Sequence, residues 1–213
     1  MTPAQPESWD SEGVRSLEVR WIFPGRANAM AGWFGRFPAE TTVLEDAYLV
    51  DPQLSGLSVK VRGGRALEIK VYRGSPGVLE VAGRARGRLE SWQKWSFPTG
   101  LPGQGSGNPA VWRTVSKRRR ISRFSAADGP SRARVLRPGQ GPGCAVELTE
   151  VTMRGRAWWT LGFEATGPAD MLRGQLEAAA ALVFAQAPPI GVELGLTDSM
   201  SYAQWLRAAS SRS

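Results

Sequence analysis

The sequence contains no histidine among its 213 residues. Histidine is the commonest general base and the commonest protein ligand of transition metals, so its absence excludes a Ser-His-Asp triad and a histidine zinc site. Cys144 is the single cysteine, which excludes an intrachain disulfide and a thiolate metal cluster. Any metal ion bound by this chain would therefore be a hard, oxygen-bound cation such as Mg²⁺ or Mn²⁺.

Long apolar runs are also missing. The longest, LEAAAALVFA at residues 176–185, falls well short of the roughly 20 apolar residues of a membrane-spanning helix. The first residues, MTPAQPESWDSEG, lack the basic and apolar regions of a secretory signal. These features predict a cytoplasmic protein with no membrane partner.

Positive charge, by contrast, is in excess. Lys and Arg number 27 against 19 Asp and Glu, a net charge of +8, which favours an anionic partner such as a phosphate, a polyphosphate or a nucleic acid. The hydrophobic fraction of 42% and the charged fraction of 22% are those of a globular protein. The length predicts one domain, which we assign to residues 16–209 after a flexible tail at residues 1–15.

Alternating apolar and charged residues predict about eight β-strands. The clearest signal is LSVKVRGGRALEIKVYRG, in which strands at 57–62 and 66–72 flank Gly63-Gly64, a strong hairpin signal. Further strands are predicted at residues 16–23, 41–50, 88–97, 111–124, 144–153 and 157–166, with helices at 169–186 and 199–209, while 74–87 is ambiguous. The predicted class is α+β, with antiparallel strands followed by C-terminal helices.

The charged faces of these strands have two interpretations. In the first, a curved sheet turns its polar face to water. In the second, the strands close into a barrel whose apolar faces pack outward against helices and whose charged faces line a cavity. Converging Lys and Arg would then bind a multiply charged anion, and Glu would hold a divalent cation that bridges its oxygens. The alternation alone allows both.

Six segments, taken in order, resemble the CYTH-like superfamily, also called triphosphate tunnel metalloenzymes. They are LEVRWIF, LEDAYL, SVKVRGGRALEIKVYRG, SKRRRISRF, VELTEVTMRGRAWWTLGFEA and SMSYAQWL. The resemblance implies an eight-stranded antiparallel β-barrel, with C-terminal helices packed outside, whose tunnel binds triphosphate-containing ligands. It also implies Mg²⁺ or Mn²⁺ as cofactor, since active members of the family use these ions to hydrolyse triphosphates or to cyclise ATP.

The resemblance also assigns roles to charged residues. Glu18 and Glu164 match metal-binding carboxylates, and Glu147, beside the position where the family has an acid, is the third predicted metal ligand. The cations that match phosphate ligands are Arg62, Lys70, Lys117 and Arg119. Two more charged-face cations complete the predicted phosphate ligands: Arg20 and Lys94.

Two departures from the family pattern affect the predicted chemistry. The N-terminal Glu-x-Glu-x-Lys motif reads Glu18, Arg20 and Ile22 here, and Gly162 replaces the first Glu of the late Glu-x-Glu motif. A divalent cation binds weakly without several carboxylates, whereas Arg20 offers a bidentate fork that matches phosphate oxygens. Binding of a small phosphorylated anion is therefore the leading prediction, and Mg²⁺- or Mn²⁺-dependent triphosphate hydrolysis stays open.

The alternative is a nucleic-acid-binding protein that uses an external basic surface. SKRRRIS, at 116–122, alternates, so Lys117 and Arg119 face away from Arg118 and Arg120. The external surface would consist of Arg118, Arg120 and Arg123, with strongly salt-dependent binding. One observation separates the two hypotheses, namely whether one enclosed cavity brings together Arg62, Lys70, Lys117 and Glu164. The sequence leaves the oligomeric state undetermined.

Overall fold

A computed structural model describes residues 13–98, 112–125, 134–136 and 143–210. The strands are β1 (Val14–Pro24), β2 (Glu40–Leu49), β3 (Leu57–Arg62), β4 (Ala66–Gly74), β5 (Val78–Val81), β6 (Ala85–Arg88), β7 (Glu90–Pro98), β8 (Trp112–Ser125), β9 (Arg134–Leu136), β10 (Gly143–Met153) and β11 (Arg156–Thr166). The helices are α1 (Asn28–Phe34), α2 (Leu172–Phe184) and α3 (Tyr202–Ser210). Within these ranges, no helix has the length and apolar character needed to cross a bilayer.

Eight of the strands close into an antiparallel barrel. Hydrogen-bonded neighbours follow the order β10-β11-β1-β7-β4-β3-β2-β8, and β8 pairs with β10 to complete the circle. The short β9 pairs with the end of β8, and the ambiguous segment forms a separate β5–β6 hairpin. The predicted α+β class and the eight-stranded antiparallel barrel are therefore confirmed. Of the predicted tail, residues 1–12 lie outside the described ranges, and β1 begins at Val14.

The β3–β4 hairpin has the predicted turn. Gly63 and Gly64 adopt φ angles of 54° and 68°, a region that glycine enters without the steric cost that a Cβ atom brings. The turn places Lys60 opposite Glu68 and Ser58 opposite Lys70. Because residues directly opposite each other in an antiparallel pair share a face, this register puts the charged residues of both strands on one side of the sheet.

The main apolar core lies outside the barrel. Trp21 of β1 is fully buried and meets the rings of Phe163 and Phe184 edge-on, at centroid distances of 6.3 and 6.4 Å. Leu176 and Val183 of α2 are buried in the same cluster. The strands therefore turn their apolar faces outward against α1 and α2, which leaves their charged faces inside.

The last helix, α3, packs against one end of the barrel. Trp205 and Leu206 of α3 are buried together with Ile22, Tyr48 and Val115, which lie on the inward faces of three strands. These apolar residues line the end of the barrel and give α3 a surface to pack on. Thus α2 packs outside the barrel wall as predicted, whereas α3 closes one mouth of the tunnel.

Gly87 of β6 provides a test of the outer core. A Cβ atom at this position would lie 2.5 Å from Trp21 Cζ2 and 2.5 Å from Val19 Cγ2. We expect Gly87→Ala to lower the free energy of unfolding by about 1–3 kcal/mol, the usual cost of overpacking. Gly174→Ala in α2, where nothing lies within 4 Å, should raise it by about 0.5–1 kcal/mol. Urea denaturation measures both changes, and equal midpoints for the two variants would contradict this account.

Candidate anion-binding tunnel

Side chains from all eight barrel strands line one cavity of about 70 Å³ inside the barrel. The charged residues of the lining are Glu18, Arg20, Lys60, Arg62, Glu68, Lys70, Glu90, Lys117, Arg119, Glu147 and Glu164. Tyr48, Trp92 and Tyr202 add aromatic rings. The charged faces of the strands therefore line a tunnel and are not simply turned to bulk water.

Most of the residues predicted to form the site come together in this tunnel. The exception is Lys94, which lies on the same face of β7 as Glu90 and Trp92 but outside the cavity lining. The four residues whose convergence separates the two hypotheses all belong to the lining: Arg62, Lys70, Lys117 and Glu164. Their placement agrees with an anion site inside the barrel, while their predicted roles in binding stay predictions.

One group of charges surrounds Asp46, whose side chain is fully buried. Its Oδ2 lies 2.7 Å from Lys117 Nζ and 3.6 Å from Lys60 Nζ, and its Oδ1 lies 3.8 Å from Arg62 Nε. Glu68 lies 2.8 Å from Arg62 Nη1 and 3.2 Å from Lys60 Nζ. We call these five residues the Asp46 cluster. With both lysines protonated it holds three cations and two carboxylates, an excess of one positive charge.

The two lysines of the Asp46 cluster have lowered pKa values. Burial lowers the pKa of Lys117 from 10.5 to about 7, and the charge of Lys60 adds to this effect while Asp46 opposes it. Burial also lowers the pKa of Lys60 to about 8, with a contribution from Arg62. A further negative charge next to these lysines would favour their protonated forms and raise both pKa values.

A second group is centred on Lys70. Its Nζ donates to Glu18 Oε1 at 2.6 Å and to Glu164 Oε1 at 3.2 Å. Burial alone would lower the pKa of Lys70, but the two carboxylates outweigh burial and raise it. Lys70 in turn lowers the pKa of Glu164 to about 2. One ammonium group is therefore shared by two carboxylates that face each other on β1 and β11, which leaves this group with a net charge of −1.

A third group is built around Glu147. Its Oε2 accepts hydrogen bonds from Arg119 Nε, at 2.8 Å, and from Arg119 Nη2. Its Oε1 accepts from Thr149 Oγ1 at 2.6 Å and from Arg20 Nη1 at 3.3 Å. Burial would raise the pKa of Glu147, but the two guanidinium groups hold it well below its usual range. Glu147 is therefore a fixed anion that orients two arginines.

The three predicted metal ligands do not fit a divalent cation. Glu18 and Glu164 share the Lys70 ammonium group, and Glu147 is engaged by two arginines. In the part of the chain that the structure describes, no group of three or more Asp, Glu or Cys side chains is placed to hold a metal ion. Since a hard cation needs several available oxygen ligands, these three carboxylates serve as partners of the tunnel's own cations.

Sequence reasoning missed two central residues, Asp46 and Tyr202. The Tyr202 ring lies 4.3 Å from Lys117 Nζ and 4.6 Å from Arg20 Cζ, and it stacks on Tyr48 at 6.1 Å. Asp46 and Tyr48 are two residues apart and therefore lie on the same, inward face of β2. The period-two pattern of this strand could have identified Asp46 as a tunnel residue. Tyr202 reaches the tunnel from α3, and no strand pattern predicts that placement.

The external arginines of β8 do not form the predicted basic surface as a set. Arg118 and Arg123 are exposed. Arg120, however, donates from Nη1 to the Ala31 carbonyl oxygen at 2.8 Å and lies 5.8 Å from the Phe34 ring centroid. Arg120 therefore attaches α1 to the barrel wall, which leaves two of the three arginines on the surface.

No family model matches the chain, and no curated protein matches it. Several solved structures are similar to it. The Mimivirus capping enzyme triphosphatase is 12% identical, with a TM-score of 0.45 over 79% of this chain and 89% of that one. The RNA triphosphatase Pct1 of S. pombe is 12% identical, with a TM-score of 0.41 over 81% of this chain and 78% of that one.

A conserved hypothetical protein of Pyrococcus furiosus is 13% identical, with a TM-score of 0.43 over 88% of this chain and 98% of that one. Triphosphatases are thus among the structures similar to this chain.

Proposed function

We propose that this protein binds a phosphate-rich anion of the triphosphate type inside its tunnel. The observation that supports this function is the convergence of five predicted phosphate ligands on one cavity inside the barrel: Arg20, Arg62, Lys70, Lys117 and Arg119. Guanidinium and ammonium groups form short, charge-assisted hydrogen bonds with phosphate oxygens. Such bonds are stronger between partly buried groups, where the local dielectric constant is low, than on an open surface.

The size of the cavity favours a slender ligand. A volume of about 70 Å³ holds roughly five to seven water molecules, at about 10–15 Å³ for each. A linear chain of phosphoryl groups suits this space, whereas a nucleobase would have to stay outside the mouth. Inorganic triphosphate, or the phosphate chain of a nucleotide, is therefore the ligand class that we propose.

The tunnel cations are held in place before a ligand arrives. Glu147 orients Arg20 and Arg119, and Asp46 holds Lys117. Cations fixed in this way need little reorganisation when an anion binds. The Asp46 cluster, with both lysines protonated, and the group around Glu147 each hold one more positive than negative charge. We therefore place the most highly charged part of the ligand between these two groups. Because the predicted metal ligands are engaged by these cations, we propose binding and not metal-dependent phosphohydrolysis.

Isothermal titration calorimetry with inorganic triphosphate tests this function. In Arg62→Ala/Lys70→Ala, the loss of two charged hydrogen bonds, worth about 1.5–3 kcal/mol each, should weaken binding by about 100-fold or more. The matched control is Arg65→Ala/Arg73→Ala, which removes two exposed cations near the ends of β4. It should bind as tightly as the natural protein.

Because Lys70 is paired with two carboxylates, the melting temperature of each variant must be compared with that of the natural protein. Arg62→Ala alone is the milder variant, since the Arg62 side chain is 34% exposed, and it should weaken binding by at least about 10-fold. The proposed function is wrong if the natural protein shows neither heat of binding nor thermal stabilisation with inorganic triphosphate, polyphosphate or ATP. Equal losses in the tunnel variant and the control variant would also contradict it.

A further inference from the structure

The Arg20 side chain covers Gly162 of the neighbouring strand. Arg20 and Gly162 face each other across the β1–β11 pair. A Cβ atom built at Gly162 would lie 2.7 Å from Arg20 Cζ and 2.8 and 2.9 Å from its two terminal nitrogens. The guanidinium group therefore occupies the space that any side chain at position 162 would need.

Three further contacts hold the guanidinium group there. Its Nη1 donates to Thr160 Oγ1 at 2.9 Å and to Glu147 Oε1 at 3.3 Å. The ring of Tyr202 lies 4.6 Å from Cζ, a cation–π distance. The side chain is only 12% exposed, yet it lines the cavity. Arg20 is thus a cation with a fixed position and orientation inside the tunnel.

A fixed guanidinium group supplies what a bound divalent cation would otherwise supply to a polyphosphate, namely positive charge at a set position. It also brings planar N–H donors that match phosphate oxygens. We propose that Arg20, held over Gly162, is the fixed cation that lets this tunnel bind its phosphate-rich anion without a divalent metal ion. This inference rests on the proposed function, and Gly162 acts in it as a positioning residue.

Titrations of inorganic triphosphate in two buffers test the metal independence directly. One buffer contains a chelator and the other contains Mg²⁺ in excess over triphosphate. Mg²⁺ binds part of the triphosphate in the second buffer, so both affinities are calculated for the free anion. The two values should agree within about 3-fold. Binding that occurs only with Mg²⁺ would overturn this inference and leave the proposed function standing. The absence of binding in both buffers would overturn the proposed function, and this inference with it.

Gly162→Ala tests the positioning role. The atoms that its Cβ meets belong to the flexible end of a side chain, so we expect the protein to stay folded while Arg20 is pushed aside. The affinity for triphosphate in the chelator buffer should fall by about 10-fold or more, with a melting temperature close to that of the natural protein. Gly174→Ala in α2 is the matched control and should leave the affinity unchanged.

A double-mutant cycle separates positioning from a general structural effect. Arg20→Ala should weaken binding by at least 10-fold, and Gly162→Ala added to it should weaken binding no further, because no guanidinium group is left to displace. Arg20→Lys, which keeps the charge, should recover part of the affinity. Arg15→Ala, an exposed cation of the same strand, is the control. Additive losses in the double variant, or full affinity in Gly162→Ala, would overturn the role of Arg20.

Discussion

Asp46→Asn should lower the free energy of unfolding by about 3–5 kcal/mol, the usual cost of removing one partner from a buried ion pair. The Asp46 carboxylate is fully buried, with three cations within 4.0 Å: Lys60, Arg62 and Lys117. The amide keeps the shape of the side chain but removes its charge. The cluster would then hold three cations against Glu68 alone, and two of these cations, Lys60 and Lys117, are buried.

Urea denaturation at pH 6, where both lysines of the cluster are protonated, measures this loss. Glu45→Gln is the matched control, because Glu45 is the exposed neighbour of Asp46 on β2. It makes the same chemical change and should cost less than about 0.5 kcal/mol. Adding Lys117→Met to Asp46→Asn should restore part of the stability, since it removes one unpaired cation. Similar losses in Asp46→Asn and Glu45→Gln would show that the cluster is not buried as described.

The stability of the natural protein should rise as the pH is raised from 7 to 8.5. Lys117 has a pKa of about 7 in the folded protein, against 10.5 for an ordinary lysine. Between these values the unfolded chain holds a proton that the folded chain has released, so the free energy of unfolding increases with pH. The slope approaches about 1.4 kcal/mol per pH unit for one group, which gives about 1.5–2 kcal/mol over this window.

Two other ionisable groups affect how stability changes between pH 7 and 8.5. Lys60, with a pKa of about 8, adds to the rise in its upper part. The buried Cys144 thiol has a raised pKa, so ionisation of this thiol in the unfolded chain opposes the rise above about pH 8.5. Lys117→Met should flatten the slope between pH 7 and 8. A stability that is constant or falls with pH in the natural protein would contradict the buried position of Lys117.

The same lysines link anion binding to proton uptake. A polyphosphate beside the Asp46 cluster raises the pKa values of Lys117 and Lys60, so each binding event near pH 8 should take up close to one proton or more. Calorimetry in two buffers with different ionisation enthalpies measures this number. The affinity should fall as the pH rises from 7 to 9, opposite in direction to the stability of the free protein.

The local features of the barrel followed from the sequence. Period-two alternation placed the charged residues of the β3–β4 hairpin on one face, and Gly63-Gly64 set the register of that hairpin, since both signals act between residues close along the chain. The same alternation placed Arg20, Lys117 and Arg119 on the charged faces of their strands. It could not tell a wet face from a tunnel wall, because an open sheet and a closed barrel share the same pattern within each strand.

The sequence by itself determined which side chains of each strand share a face, and therefore which charges were available to the tunnel. Only the tertiary structure decided how those charges pair. Lys70 joins Glu18 to Glu164, Arg20 fits into the space above Gly162, and Tyr202 reaches in from α3. These contacts link residues far apart in the chain, and their geometry is set by barrel closure and by the order of the strands, which no local pattern contains.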